Sequence, residues 1–252
     1  MEERYTEQNA RAWDRWVEEG IEWGKPIDHE TYLAAQKGDW SVLLTPSTPV
    51  PRAWFPDLRG KQVLGLASGG GQQMPIFAAC GARCTIFDYS LRQLESERLV
   101  AAREGYEIEI VRGDMTLPIP FQNERFDFIF HPVSNCYIED VQHVWNECYR
   151  MLKPGGILLA GLDNGMNFLI DDVSDPPKII HRLPFNPLKN PEQMEELIRD
   201  DAGVQFSHTA GEQLGGQLRA GLVLTDVLDD YDSIGFMRNY APSYWMTRAV
   251  RP

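Results

Sequence analysis

A run of three glycines, entered directly from an apolar segment, constrains this chain more than any other feature. Gln62–Leu66 carries the apolar pattern of a buried strand, and Ala67-Ser68-Gly69-Gly70-Gly71 follows it at once. Glycines at such a point permit positive φ and close approach of the backbone to another group. A helix is predicted next, over about Gln72–Cys80, with Pro75 in its first turn, where a missing N–H is tolerated. The alternation then repeats. Strand Arg83–Phe87 ends on Asp88, and Ser90-x-x-Gln93 has the pattern of a capping box opening a helix to about Glu104. Strand Glu107–Arg112 leads to Gly113-Asp114-Met115, and strand Phe126–Phe130 to His131-Pro132. Asp140 can cap a helix whose apolar positions Val141, Val144, Trp145, Cys148 and Leu152 keep helical spacing. Lys153-Pro154-Gly155-Gly156 stops that helix before a fifth strand, Ile157–Leu162. Strands alternating with helices in this way give an α/β fold with a parallel sheet covered on both faces.

The C-terminal part changes character. A helix over about Gly211–Ala220, a strand over Leu222–Leu228 and a last strand over Tyr244–Val250 predict an antiparallel closing pair. Two regions stand outside the alternation. Residues 1–60 hold Trp13, Trp16, Trp23, Trp40 and Trp54, five of the seven tryptophans, before a proline-rich stretch. Residues 163–203 form a long proline-containing insertion. Connections of such length commonly cover a site. The expected organisation is an N-terminal helical, aromatic cap over 1–60 and one domain over 61–252, with a cap insertion at about 163–203.

Charge narrows the partners. The formal net charge is −13, with 24 Lys and Arg against 37 Asp and Glu. A protein that grips phosphates needs a basic face, so nucleic acid and anionic membrane are poor partners. No apolar run approaches the roughly 20 residues of a membrane span, and the charged start MEERYTEQNARAWDRW lacks the core of a signal peptide. A cytoplasmic protein is expected. Cys80, Cys84, Cys136 and Cys148 show no metal-type spacing and read as structural thiols. No metal site is expected.

The segment V-L-G-L-A-S-G-G-G-Q-Q at 63–73 resembles the cofactor turn of class I S-adenosylmethionine-dependent methyltransferases. Gly69 and Gly71 match the second and third glycines of that family's G-x-G-x-G. Gly65 stands where the family carries an acid, and Ala67 where it carries its first glycine. F-D-F-I-F at 126–130 and R-M-L-K-P-G-G-I-L-L at 150–159 resemble the family's fourth strand and the entry to its fifth. The resemblance implies a Rossmann-like, seven-stranded, mostly parallel sheet with an antiparallel last strand, helices on both faces and an N-terminal helical lid. It also implies S-adenosylmethionine as cofactor. Ala67, Ser68, Gly69, Gly71 and Gln72 would meet its methionine end, where backbone N–H groups suit a carboxylate. Asp88 and Tyr89 would meet the ribose, and Asp114 and Met115 the adenine. His131 would border the same pocket.

The acceptor belongs beyond the carboxyl end of the fourth strand. There His131 could orient or deprotonate it, and Asn135 and Tyr137 could hydrogen-bond it. Family members that methylate planar amide or base nitrogens carry Asx/Ser-Pro-Pro-aromatic here. This chain keeps only Pro132, so the expected acceptor is another kind of small molecule. Two alternatives remain open: a non-catalytic S-adenosylmethionine sensor or partner-binding protein, and an NAD(P)-dependent oxidoreductase. The oxidoreductase fingerprint wants a glycine where Met74 stands.

Overall fold

The computed structural model describes residues 4–252 apart from 172, 173 and 175, so those three positions of the insertion and residues 1–3 of the cap lie outside it. In chain order the strands are β1 (Gln62–Leu66), β2 (Arg83–Asp88), β3 (Ile108–Arg112), β4 (Phe126–His131), β5 (Leu152–Asp163), the short β6 (Ile170–Asp171) and β7 (Lys178–Ile179), then β8 (Val223–Asp230) and β9 (Tyr244–Val250). The α-helices are α1 (Tyr5–Glu18), α2 (His29–Gln36), α3 (Gln73–Ala79), α4 (Leu91–Glu104), α5 (Val141–Met151), α6 (Met166–Leu169), α7 (Pro191–Arg199) and α8 (Ala210–Arg219).

Seven strands form one sheet in the order β3-β2-β1-β4-β5-β9-β8. The first five pair in parallel, and β9 runs antiparallel between β5 and β8. Chain order reverses at β1, which lies between β2 and β4. In an open sheet of this kind, that reversal opens a crevice beyond the carboxyl ends of the strands.

Period-two alternation sends side chains into two cores. Leu64, Ile129, Leu158 and Ala160 pack with Val144, Trp145 and Cys148 of α5. Val63, Phe128, Phe130, Ile157 and Leu159 pack on the other face with Met74 and Phe77 of α3 and Ala35 of α2. Because both faces are covered, the central strands need apolar residues at every position rather than at every second one.

Two local expectations are corrected. The fifth strand begins at Leu152, not Ile157. Phe126 pairs with Leu152 but Phe128 with Ile157, so Lys153–Gly156 forms a bulge within the strand. Gly155, with φ of +78°, lets the extra residues loop out. The capping box of α4 is only half made: Ser90 Oγ accepts from the Gln93 N–H at 3.1 Å, but Gln93 Oε1 has no partner. Its amide lies against the turn instead, where a Cβ on Gly70 would stand 2.6 Å from Oε1.

The N-terminal segment divides between two positions. Val42, Leu44, Val50, Trp54 and Leu58 are buried in the α2–α3 core. Trp40 meets Phe55 and Phe77 edge-on, and the Trp54 indole N–H donates to Asp226 at 3.0 Å. Helix α1 packs instead on α4 at the carboxyl end of the sheet. Its Asn9 amide donates to the Val204 carbonyl at 2.9 Å and accepts from the Val204 N–H at 2.6 Å, tying α1 to the segment after α7.

Gly161 of β5 shows how closely the N-terminal segment lies over the strands. A Cβ there would stand 2.0 Å from the Leu44 carbonyl oxygen, which also accepts from the Val133 N–H. Backbone meets backbone, so neither side can give way cheaply. Gly161→Ala is expected to cost roughly 1–3 kcal/mol of stability. An unchanged midpoint in urea unfolding would show that residues 42–46 are not held against β5.

Candidate active site

The glycine turn is built from its hydrogen bonds outward. Gly69 N–H donates to Asp88 Oδ2 at 3.1 Å, Gly70 N–H to the Gln93 carbonyl at 3.0 Å, and Gly71 N–H to Glu97 Oε1 at 2.8 Å. From the other side, Ile27 N–H donates to the Gly71 carbonyl at 2.9 Å. Two positions explain the composition. Gly71 has φ of +71°, and a Cβ on Gly69 would lie 2.6 Å from that of Gln93. Ala67, which stands where a glycine was expected, adopts φ of +48° and so keeps the glycine conformation. That costs a side-chain-bearing residue about 1–2 kcal/mol.

A cavity of about 910 Å³ opens beside this turn. Ala67, Ser68, Gly69 and Gln72 line it, but Gly71 lies behind the turn. The Ser68 hydroxyl donates to Gln73 Oε1 at 3.0 Å. The Gln72 amide donates to the Glu22 and Lys25 carbonyls at 2.9 and 3.1 Å, fastening the turn to the segment after α1.

Asp88 and Tyr89 line the same cavity. Asp88 also accepts from the Ser90 N–H at 3.0 Å. Burial pushes its carboxyl above the usual range, and the bonds from Ser90 and Gly69 oppose that shift. Tyr89 lies under the Arg112 guanidinium. Asp114 and Met115 follow along the wall. Asp114 is heavily engaged: it accepts from Thr6 Oγ1 at 2.6 Å and from the Thr116 N–H and hydroxyl at 2.8 and 2.7 Å, and it pairs with Arg4 at 3.4 Å.

The residues after β4 separate. Tyr137 lines the cavity, its ring edge-on to Trp13 at 5.9 Å. Burial raises its hydroxyl well above the usual value, so it stays protonated. His131 and Asn135 do not line the cavity and are fully buried behind it. The His131 ring meets Trp145 of α5 edge-on. Its Nδ1 lies 2.8 Å from the Leu66 carbonyl and its Nε2 2.8 Å from the Asn135 amide, which in turn lies 3.1 Å from the Gln213 amide. Burial lowers the imidazole pKa, so the ring is neutral. Asn135 Oδ1 faces the ring, and its Nδ2 donates to Gln213 Oε1. With both nitrogens engaged and no face on the cavity, the ring braces β4 against β1 and α8.

Several contributors carried little signal in the sequence. Thr6 and Asn9 are polar residues on an amphipathic helix. Glu97 could have been noticed, because it falls on the buried stripe of α4 with Leu94, Val100 and Ala101. Among the described residues no group of three His, Cys, Asp or Glu side chains could hold a metal ion.

The sequence and the fold have known counterparts. A family described as "Methyltransferase domain" matches residues 64–160. The Uncharacterized methyltransferase YbaJ of Bacillus subtilis (strain 168) is 39% identical over 249 residues, covering 96% of this chain and 97% of that one. The chain belongs to the class I S-adenosylmethionine-dependent methyltransferases. It is therefore an enzyme of that type, which sets aside the oxidoreductase and the non-catalytic sensor. A Ubiquinone biosynthesis O-methyltransferase of Chelativorans sp. (strain BNC1) is 27% identical over 170 residues, covering 62% of this chain and 66% of that one. In fold, this methyltransferase is similar to an S-adenosylmethionine dependent methyltransferase from Mesorhizobium loti. The TM-score is 0.64 at 18% identity, over 79% of this chain and 95% of that one.

Glu97 gives the site a measurable pH signature. Burial pushes its carboxyl from 4.5 up to about 8, against the opposing bond from Gly71. Between those values the folded chain keeps a proton that the unfolded chain has released. Stability from this group is thus fully present at acid pH and is lost as pH rises through about 8. Glu97→Gln cannot ionise and retains an acceptor for Gly71. Its stability relative to wild type should increase with pH across this window and level off above it. A pH-independent difference in urea unfolding would place the ionisation elsewhere.

Proposed function

We propose that this methyltransferase binds S-adenosylmethionine along the glycine turn and transfers its methyl group to a small molecule held in the same cavity. The turn carries this reading: its N–H groups are held by Asp88, α4 and Glu97, and the cavity opens along Ala67, Ser68 and Gly69. The lining fits the cofactor. Gln93 is 6% exposed, lines the cavity and has an Oε1 without a partner among the described residues. Such a group points to a missing donor. When bound, S-adenosylmethionine supplies a methyl group already activated by its sulfonium.

The chain's own residues then have distinct tasks. Asp88 accepts the ribose hydroxyls with the lone pairs that Gly69 and Ser90 leave free. Asp114 and Met115 border the adenine, and Ala67, Ser68 and Gly69 border the methionine end. Gly71 and Gln72 hold the turn in shape. His131 and Asn135 position the loop after β4, while Tyr137 with Trp13 closes the acceptor side. Helix α1, residues 19–23 and 43–46, and Asn167, Phe168 and Ala202 of the insertion cover the cavity, and excluding water and bringing acceptor and methyl into line fall to them. A cavity lined by no basic side chain among the described residues supports a small-molecule acceptor rather than nucleic acid. Among the described residues no helix is long and apolar enough to cross a membrane.

Titration calorimetry tests the reading. S-adenosylmethionine and S-adenosylhomocysteine should both bind, and either should raise the melting temperature. No binding of either at millimolar ligand would sink it. Asp88→Ala should weaken S-adenosylhomocysteine about tenfold to a hundredfold, since two charge-assisted hydrogen bonds are lost. Asp114→Ala should cost less, because Asp114 spends most of its capacity on Thr6 and Thr116. Equal or reversed losses would mean that the ribose lies elsewhere.

A further inference from the structure

We propose that the acceptor half of the cavity takes a small molecule carrying a protonated aliphatic amine, held between Asp163 and Asp232, and that Asp163 receives its proton. The inference rests on the reading that the glycine-turn half holds the cofactor.

Asp163 ends β5, next to the carboxyl end of β4, and pairs in register with Tyr244 of β9. The Tyr244 hydroxyl donates to Asp232 Oδ2 at 3.1 Å. Both aspartates line the cavity. Asp163 is 8% exposed and is held by the Gly165 N–H at 2.6 Å and the Asn167 amide at 2.8 Å. These bonds orient the carboxylate and leave each oxygen a further lone pair. Neither aspartate has an ion pair recorded among the described residues.

The charge balance of the wall selects the ligand. Glu19, Asp88, Asp114, Asp163 and Asp232 line the cavity, and among the described residues no lysine, arginine or histidine does. A buried carboxylate without a counter-ion is costly. Burial and the neighbouring Asp232 push Asp163 up to about 6. A cation entering here relieves that cost, a neutral alcohol gains only a hydrogen bond, and a carboxylate or phosphate ester meets repulsion. The Thr45 hydroxyl, in the same wall, lies beside Asp230 without closing a well-aligned hydrogen bond and is otherwise unpartnered. Leu43, Val133 and Phe168 supply an apolar surface for the body of the molecule.

The chemistry balances. An N–H bond of the ammonium breaks and its proton passes to Asp163. The lone pair left on nitrogen forms the bond to the methyl carbon, while the sulfur–methyl bond breaks and its electron pair returns to sulfur. Asp163 then releases the proton to solvent.

Three matched probes test this against full-length protein saturated with S-adenosylhomocysteine: 2-phenylethylamine, 2-phenylethanol and phenylacetate, each titrated calorimetrically to millimolar concentration. The amine should bind at least about tenfold more tightly than the alcohol, and phenylacetate should not bind. Asp163→Asn and, separately, Asp232→Asn should each weaken the amine by about tenfold or more while S-adenosylhomocysteine affinity stays unchanged, which also reports that each variant is folded. An amine that fails to bind, binds no better than the alcohol or the acid, or is indifferent to both substitutions overturns the inference. Failure of S-adenosylhomocysteine itself to bind the wild-type protein overturns the underlying cofactor reading instead.

Discussion

Three consecutive backbone N–H groups, on Gly69, Gly70 and Gly71, have neither strand nor helix to satisfy them, and much of the surrounding architecture supplies their acceptors. The end of β2 brings Asp88, the first turn of α4 brings the Gln93 carbonyl, and the next turn brings Glu97. A buried N–H without a partner would cost as much as a lost hydrogen bond or more. The relative placement of β1, β2 and α4 is therefore not free to drift. The segment after α1 closes the arrangement through Ile27 and the Gln72 amide.

The use of a carboxyl group for the third acceptor is notable physically. Glu97 is completely buried, and its second oxygen has no partner among the described residues. A backbone carbonyl does the same work without ionising for Gly70, whose N–H donates to the Gln93 carbonyl, whereas Gly71 relies on a side chain. The helix thus carries an acid in the middle of an apolar stripe, and burial keeps it protonated over much of the physiological range.

The alternation of strands and helices was legible because both faces of the sheet are buried, which turns strands into continuous apolar runs. The glycine turn, Asp88 and the end of the third strand were legible because each sits where a strand stops. His131 was expected at the cavity, and strand pleating explains why it is not. Ile129 points to the α5 face, so His131, two residues on, points there as well. The alternation was available in the sequence, but the drop in hydrophobicity at His131-Pro132 read as the end of the strand. The work of α1 was hidden for a different reason. Its polar contacts run from Thr6 to Asp114, from Asn9 to Val204 and from Asp14 to Ser90 and Arg92, all distant in the chain, and no periodicity announces those.

The bonds that complete the cavity join remote parts of the chain. Asn9 and Val204 are 195 residues apart, Ser47 and Asp230 are 183 apart, and Thr6 and Asp114 are 108 apart. Contacts of such separation bear the full entropy of loop closure before they return anything, and chains that depend on them fold slowly. During synthesis α1 emerges before the sheet, yet its Asn9 meets Val204 only once the insertion has followed. Most of the parallel strands can assemble by local steps, β2 beside β1, β3 beside β2 and β5 beside β4, with β4 alone returning to β1. The chamber above them has no such route: its walls meet only when the chain from Thr6 through Tyr244 has left the ribosome.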